Sequence, residues 1–209
     1  PLAYEVEVLN WLRGKLPVPE VLHYEKQGHW EFLLISEVPG LDLSRDEHRN
    51  DPELLVRTLA SGLRQIHSVD ISHCPFDQTV TVKIEKARAN LKRGLIDETL
   101  FEPRNRGWRA DDLFNLLLAK KPSSQDLCFT HGDYCLPNVL MKDSALSGFI
   151  DLGRAGIGDR CVDVALAVRS LEHNGYGSPE LVELFFAVYG LTDVDETKME
   201  FYTLLDEFL

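Results

Sequence analysis

Long hydrophobic runs and paired cysteines are both missing from this sequence of 209 residues. No apolar run approaches the ~20 residues of a membrane-spanning helix, and no secretory apolar segment opens the chain. The four cysteines, Cys74, Cys128, Cys135 and Cys161, form no C-x-x-C pair and lack histidines at zinc-binding spacing. These absences argue against a membrane protein and against a structural zinc domain. They predict a soluble, cytoplasmic protein with reduced thiols.

Positive charge is also scarce, since 22 lysines and arginines face 34 aspartates and glutamates, which gives a formal net charge of -12. Such a surface repels nucleic acid and anionic lipid and attracts cations. Hydrophobic residues make up 44% and charged residues 27%, which is the balance of a globular protein. We therefore expect no nucleic-acid partner and no membrane partner, and a cationic ligand fits the charge.

Hydrophobic periodicity and turn signals predict an α+β fold, with one hairpin near the start and a largely helical remainder. Helices are predicted over residues 4–16, 52–66, 82–91, 110–120, 162–171, 179–189 and 196–208. Strands are predicted over 20–25, 30–37, 127–130, 139–142 and 147–150, with turns at 26–29 and 143–146. An isolated hairpin is marginal in water, and the chain begins at Pro1 inside an apolar-periodic segment. We therefore expect an amino-terminally truncated copy whose further strands precede Pro1.

The most informative stretch is His131-Gly-Asp133-Tyr-Cys-Leu-Pro-Asn138, followed by Ile150-Asp151-Leu-Gly-Arg154. A loop after the first predicted strand presents Asp133, Asn138 begins the next strand, and a third strand delivers Asp151 at its end. Their side chains are therefore expected to converge. Carboxylate and amide oxygens suit Mg²⁺, which takes its other ligands from water and substrate phosphates. A remaining aspartate that accepts a proton completes a phosphoryl-transfer set, as in the catalytic loop of protein kinases.

The alternative interpretation is an ordinary turn, because aspartate and asparagine are common turn residues and a lone H-x-D is weak. Three elements agree here in order, spacing and strand context, which favours the catalytic interpretation.

His131-Gly-Asp-x4-Asn138 together with Gly148-Phe-Ile-Asp-Leu-Gly-Arg154 resembles the bacterial aminoglycoside phosphotransferases, specifically the 3′-phosphotransferase branch. Trp11–Pro19 and Leu205–Leu209 resemble that branch too, so the resemblance covers essentially the whole chain. It implies a protein-kinase-like α+β fold. Residues 1–38 would be a remnant of the amino-terminal lobe, a helix and hairpin ending in the hinge. Residues 39–209 would form the carboxyl-terminal catalytic and aminoglycoside-binding lobe, which is mainly helical.

The resemblance also implies roles for the residues that would handle ATP and Mg²⁺. Asp133 would be the catalytic base, or would orient the acceptor hydroxyl. Asn138 and Asp151 would hold the Mg²⁺ ions that bridge the ATP phosphates. Glu5 matches the helix glutamate that pairs with a phosphate-binding lysine, although without the family an ordinary solvated helix acid is the preferred interpretation. Ser36-Glu37-Val38 matches the hinge whose backbone receives adenine.

In the same way, the resemblance implies an acidic pocket for a cationic aminoglycoside. Arg154 and Glu207 match positions that line it, the Leu209 carboxylate would add a negative group, and Glu98 and Glu102 fall in the acceptor loop. The alternative for Arg154 is a simple pair with a nearby carboxylate.

Three further residues are assigned supporting roles. His131 belongs to the motif as a structural residue, and Asp163, flanked by apolar residues, is expected to be buried and to anchor the catalytic-loop backbone. We expect His67 to be a surface or packing residue rather than a ligand.

Two departures from the family pattern limit these expectations. The glycine-rich phosphate loop and the strand lysine are absent from the sequence, so we predict little turnover from this chain. The acceptor loop carries Pro103, Arg104 and Arg106, whose charges would weaken cation binding. His173 and Asn174 also stand where close relatives tend to have acids.

Three functions are therefore weighed. The first is ATP-dependent phosphorylation of the 3′-hydroxyl of an aminoglycoside, which inactivates the antibiotic and confers resistance. The second is a related small-molecule kinase with a different acceptor. The third is a catalytically dead fragment that only binds cations or partners.

Overall fold

The computed structural model describes residues 2–209. Seven α-helices and seven short strands lie within this range. The helices are α1 (Leu2–Leu12), α2 (Pro52–His67), α3 (Val80–Lys92), α4 (Ala110–Ala119), α5 (Cys161–His173), α6 (Pro179–Tyr189) and α7 (Glu196–Asp206). The strands are β1 (Val21–Gln27), β2 (Trp30–Ile35), β3 (Leu41–Asp42), β4 (Leu127–Thr130), β5 (Val139–Lys142), β6 (Ala145–Phe149) and β7 (Gly156–Asp159). This arrangement confirms the predicted α+β fold.

The strands form three small antiparallel sheets, ordered β1-β2, β3-β5-β6 and β4-β7. Strand β4 leads into the 131–138 loop, β5 begins directly after that loop, and β6 leads toward Asp151. Two hydrogen bonds join these segments, one from the Asn138 side chain to the Asp133 carbonyl and one from the Ile150 amide to the Asn138 carbonyl. The topology brings the three predicted catalytic positions to one place.

Local signals account for the helix boundaries that the sequence predicts well. The Asp51 carboxylate accepts a hydrogen bond from the Leu54 amide, and Pro52 occupies the first turn of α2. Helix α6 begins with the Ser178 cap and ends where Gly190 adopts a left-handed conformation.

Three predictions of secondary structure were wrong in detail. Helix α1 ends at Leu12 rather than near residue 16, because Gly14 has a φ of 75° and the chain turns there. The turn between β5 and β6 contains only Asp143 and Ser144, both with positive φ, so β6 begins at Ala145. Strands β3 and β7 were not predicted, since two residues and a Gly-Ile-Gly-Asp run carry no apolar alternation.

Helix α5 lies between the two hydrophobic clusters of the described residues. Val164 and Val168 pack into the cluster that contains α1, α2 and α6, while Val162 and Ala165 pack with α3, α4 and α7. Because both clusters hold this helix, the polar side chains on α5 have well-defined positions.

Two further features complete the fold. Strand β2 alternates, and its exposed face presents Trp30, Phe32 and Leu34. Within residues 2–209, none of the helices combines the length and the apolar character needed to cross a membrane.

Candidate active site

The 131–138 loop depends on a glycine that lets two backbone segments approach closely. Gly132 has a φ of 83°, and a β-carbon built there would overlap the carbonyl oxygen of Arg154. Further along the loop, the buried Tyr134 hydroxyl donates to the Leu59 carbonyl over 2.7 Å, and the Leu136 amide donates to Ser170 Oγ over 2.9 Å. The loop is thus fixed from several directions.

Asp163 on α5 holds the start of this loop through its carboxylate. It is fully buried and accepts hydrogen bonds from the backbone amides of His131, over 2.7 Å, and Gly132, over 2.8 Å. His67 Nε2 lies 3.0 Å from the same carboxylate, and His67 Nδ1 lies 2.7 Å from the Tyr189 hydroxyl. Burial raises the pKa of Asp163, but the hydrogen bonds that its carboxylate accepts and the neighbouring histidines, with His67 first among them, together bring the pKa below its usual value.

His131 and Asn138 hold the backbone of Asp133 on its two sides. Burial lowers the pKa of His131, so its imidazole is neutral, and Nε2 lies 3.0 Å from the Ile150 carbonyl. That contact assigns the proton to Nε2, which leaves Nδ1 to accept from the Asp133 amide over 3.4 Å. Asn138 Nδ2 donates to the Asp133 carbonyl over 2.9 Å.

The Asp133 side chain is half-buried, and its carboxylate accepts no hydrogen bond from residues 2–209. Burial raises the pKa of Asp133, the positive charge of Arg154 lowers it, and the negative charge of Asp206 raises it again, with a net upward shift. A carboxylate with a raised pKa that is free of partners is suited to accept a proton from a hydroxyl group.

Asp151 has an unusual backbone conformation, with a φ of 58°. Among the described residues, the other non-glycine positions with positive φ are the two residues of the β5–β6 turn. Such a conformation costs an aspartate on the order of 1 kcal/mol and is often found at functional sites. The Asp151 side chain is exposed and follows shortly after the end of β6.

Glu5 on α1 shares the space beside Asp151. Its Oε1 accepts a hydrogen bond from the Leu152 amide over 3.2 Å. A β-carbon built at Gly153 would lie 3.8 Å from Glu5 Oε2 and 4.0 Å from Asp151 Oδ1, so both carboxylates face the same region. Burial, followed by the negative charge of Asp151, raises the pKa of Glu5.

This donor set fits a magnesium ion that is shared with a substrate. Asn138 donates through its amide nitrogen, which leaves its amide oxygen available, and Asp151 and Glu5 add carboxylate oxygens nearby. Among residues 2–209, no group of three or more His, Cys, Asp or Glu side chains could hold a metal ion. The ion would therefore need phosphate oxygens and water as further ligands, as Mg²⁺ commonly does.

The predicted hinge residues lie between β2 and β3. Ser36 and Glu20 are joined by two hydrogen bonds, one from the Ser36 amide to the Glu20 carbonyl and one from the Glu20 amide to Ser36 Oγ, each 2.9 Å long. Val38 is half-buried, and its side chain lies against Gly148, where a β-carbon would approach Val38 Cγ1 to 2.8 Å. The Ser36 hydroxyl is therefore engaged within the protein.

A cavity of about 640 Å³ brings several predicted acceptor residues together. Glu102, Glu207 and Leu209 line it, with Asp206 beside them. Glu207 accepts hydrogen bonds from the Glu102 amide, over 3.1 Å, and from Asn105 Nδ2, over 2.7 Å, and burial raises its pKa. Arg154 reaches this wall through Asp206, with 2.9 Å between Arg154 Nη1 and Asp206 Oδ1.

Glu98 lies apart from that cavity. Its carboxylate accepts from the Ala110 amide over 2.8 Å and pairs with Arg109 over 2.8 Å, at the start of α4. A carboxylate at a helix amino terminus is stabilising in itself, so the contacts of Glu98 are accounted for within the protein.

Sequence reasoning missed two residues near the site. His67 was interpreted as a packing or surface residue, and Arg169 was not considered, yet His67 contacts Asp163 and Arg169 pairs with Asp206 over 2.6 Å. Only the fold reveals these contacts, because 96 residues separate His67 from Asp163.

A larger cavity, of about 820 Å³, lies elsewhere and is lined by Trp11, Lys15, Arg64 and His73 among others. None of the predicted site residues lines it. Convergent polar groups, rather than size, therefore identify the candidate site.

Comparison with known proteins supports the phosphoryl-transfer interpretation. A family model described as the phosphotransferase enzyme family matches residues 1–202. The chain is 42% identical over 208 residues to the aminoglycoside 3′-phosphotransferase of Niallia circulans, covering 98% of this chain and 77% of that protein. It is 37% identical to the aminoglycoside 3′-phosphotransferase of Enterococcus faecalis, covering 97% and 77% respectively.

Two solved structures share the fold. The aminoglycoside 3′-phosphotransferase of type VIII matches with a TM-score of 0.90 at 34% identity, covering 100% of this chain and 80% of that one. An aminoglycoside phosphotransferase from Streptomyces rimosus, solved with ADP and streptomycin, matches with a TM-score of 0.85 at 26% identity, covering 99% and 81%.

Proposed function

The chain belongs to the phosphotransferase enzyme family, and on this premise we propose that it transfers the γ-phosphate of ATP to the 3′-hydroxyl of an aminoglycoside antibiotic, which would confer resistance. The observation that carries the proposal is the position of Asp133. Asn138 holds its backbone carbonyl, and the charges of Arg154, Asp206 and Asp151 act on its carboxyl group. Asp206 also lines the cavity of about 640 Å³.

Asp133 would hold and deprotonate the acceptor hydroxyl. Its carboxylate is free of hydrogen bonds within residues 2–209, while His131 and Asn138 fix its backbone, so the base is positioned before substrate arrives. Arg154, whose positive charge acts on Asp133, would stabilise negative charge that develops beside that carboxylate during the transfer.

Asn138 and Asp151 would hold Mg²⁺, with Glu5 beside them. When bound, the ion would neutralise phosphate charge. The hinge at Ser36–Val38 would supply backbone groups to adenine, since no side-chain or backbone hydrogen bond within residues 2–209 uses the Val38 amide. ATP is an intracellular phosphate donor, and the proposed reaction therefore places the protein in the cytoplasm.

The acceptor would bind in the acidic cavity as a polycation. Four carboxylate side chains line this cavity, and they are those of Asp97, Glu102, Asp206 and Glu207. Its basic lining consists of one lysine, Lys86, and one arginine, Arg169, besides the imidazole of His173. An excess of negative charge in a concave site attracts ammonium groups. The contacts of Glu102 with the Arg169 guanidinium and with the His173 imidazole favour, as the second candidate, a related kinase with a less highly charged acceptor.

The test is product analysis with two acceptors that differ at the reacting position. The chain is incubated with ATP, Mg²⁺ and either kanamycin or tobramycin, which lacks the 3′-hydroxyl, and the products are assigned by phosphorus-coupled proton NMR. The protein is used at the same concentration as the acceptor, so that product can be detected even at the low turnover predicted for this chain. Phosphate on the 3′-oxygen of kanamycin alone is expected. Phosphorylated tobramycin, or phosphate on another hydroxyl, would contradict the proposal.

A further inference from the structure

Five ionisable residues form a continuous series of contacts beside the acceptor cavity, in the order Arg154, Asp206, Arg169, Glu102 and His173. All of them except Arg154 line the cavity. Asp206 lies between two arginines, with 2.9 Å to Arg154 and 2.6 Å to Arg169. Glu102 lies 3.7 Å from Arg169 and 3.2 Å from His173 Nε2. We call this set the charged wall. Each of its carboxylates therefore has cationic neighbours within the protein.

The two carboxylates of the charged wall differ in how firmly they are neutralised. Asp206 contacts two guanidinium groups, which stay protonated at all relevant pH values. Glu102 has one guanidinium group at 3.7 Å, and its closer neighbour is an imidazole. Histidine is the side chain whose charge ordinarily changes between about pH 5 and pH 8. The charge available at Glu102 therefore depends on His173, while that at Asp206 does not.

His173 also has a position that allows it to move. Its side chain is 52% exposed and lies at the last turn of α5, whereas the Glu102 side chain is only 16% exposed. An ammonium group from the cavity could therefore replace the imidazole against Glu102, with His173 turning toward solvent.

Other charges surround His173 from every element packed against it. On its own helix these are Arg169 and Glu172, on the acceptor loop Asp97, Glu102 and Arg104, on and after α7 Glu196, Glu200, Asp206, Glu207 and the Leu209 carboxylate, and on α3 Lys86. Among them, Glu102 is the group that the structure places in contact with the His173 ring.

We propose that His173 determines acceptor specificity by competing, when protonated, with an acceptor ammonium group for the Glu102 carboxylate. The proposal rests on the proposed aminoglycoside acceptor. When the ammonium group binds, the imidazolium of His173 leaves Glu102 and releases its proton to solvent. Neutral His173 leaves Glu102 free for the acceptor. The chain thereby favours polyammonium acceptors at the alkaline end of the histidine range and acceptors with fewer ammonium groups at the acidic end.

The experiment is calorimetric titration of the full 209-residue chain with kanamycin at about pH 6 and about pH 8, on either side of the ordinary histidine pKa. Wild type is compared with His173→Gln, which keeps a polar side chain but no charge, and with His73→Gln. His73 is an exposed histidine that lines the remote 820 Å³ cavity, so it provides a matched control. The amines of kanamycin also titrate, but they contribute equally to all three proteins.

For each protein we compare the affinity at pH 8 with the affinity at pH 6. This ratio should be about two- to fivefold larger for wild type and His73→Gln than for His173→Gln, because a partly exposed ion pair contributes an effect of about that size. When Glu102→Gln is also present, the ratio of affinities at the two pH values should be the same with His173 as with His173→Gln. A second readout is the NMR signal of the His173 ring, which should change when kanamycin binds because the ring leaves Glu102.

The outcomes separate this proposal from the proposed function. If kanamycin binds and the pH ratio is the same for wild type and His173→Gln, the role of His173 is refuted and the acceptor class stands. If no folded variant binds kanamycin at either pH, the acceptor class itself fails, and this proposal fails with it.

Discussion

Replacement of Lys83 by methionine should stabilise the protein, because this lysine is buried near Asp163 and Arg154. Lys83 lies on α3 and is 2% exposed, and no hydrogen bond within residues 2–209 uses its side-chain amine. Burial lowers the pKa of Lys83 from 10.5 to about 8, opposed by the negative charge of Asp163 and assisted by the positive charge of Arg154. Methionine has a similar length and carries no charge to desolvate.

The magnitude follows from linkage between proton binding and folding. Between a pKa of 10.5 in the unfolded chain and about 8 in the folded protein, the unfolded state binds more protons, so stability rises with pH through that interval. At about 1.4 kcal/mol per pH unit, the folded state is destabilised by about 3 kcal/mol at neutral pH. The cost of Lys83 is complete below about pH 8 and disappears near pH 10.5.

Urea denaturation of wild type and Lys83→Met at a series of pH values measures this directly. The variant should be more stable by about 3 kcal/mol at pH 7, and the difference should shrink steadily above pH 8. Lys92→Met provides the control, because Lys92 is exposed on the same helix. Equal stability of wild type and Lys83→Met, or a difference that does not vary with pH, would refute the reasoning.

Three further predictions concern the catalytic loop. Asp163→Asn should lower the free energy of unfolding by about 3 kcal/mol or more in thermal denaturation, because the amide cannot replace an ionised carboxylate that accepts from two backbone amides. Because the pKa of Asp163 is lowered in the folded protein, wild type should lose the same stabilisation as the pH falls below the usual aspartate pKa. Gly132→Ala should cost more than about 1 kcal/mol, since a φ of 83° and the Arg154 carbonyl both exclude a β-carbon, and a denaturation midpoint equal to that of wild type would contradict this. Asp133→Asn should lower phosphoryl transfer by about 100-fold or more while leaving kanamycin affinity within a few-fold, as measured by product formation and calorimetry; unchanged turnover would exclude Asp133 as the base.

The elements that the sequence predicted well are those with local causes. Helix α6 matches its predicted bounds, because Ser178, Pro179 and Gly190 mark its two ends. Strand β5 also matches, since a buried apolar run needs no distant partner to be recognised. Strand β7 was missed because Gly156–Asp159 becomes a strand only by pairing with β4.

The same distinction separates the parts of the candidate site. The order and spacing of Asp133, Asn138 and Asp151 along the chain are enough to predict that they converge. The contacts of His67 with Asp163 and of Arg169 with Asp206 join residues far apart in sequence, and no local pattern encodes them. Glu98 is a case in which the sequence position was misleading. It lies in the predicted acceptor loop, but its carboxylate accepts a hydrogen bond from the Ala110 amide at the start of α4.

The central claim is that the cavity lined by Glu102, Asp206 and Glu207 binds an aminoglycoside. Calorimetric titration of the folded 209-residue chain with kanamycin, without nucleotide, tests it most directly. We predict binding at one site, with an affinity that weakens as salt is added. The affinity should fall about tenfold in Glu207→Gln, where a partly buried carboxylate is lost. It should be retained in Glu53→Gln, because Glu53 is an exposed residue on α2. Absence of binding by a folded chain, or equal affinity of Glu207→Gln and wild type, would contradict the claim.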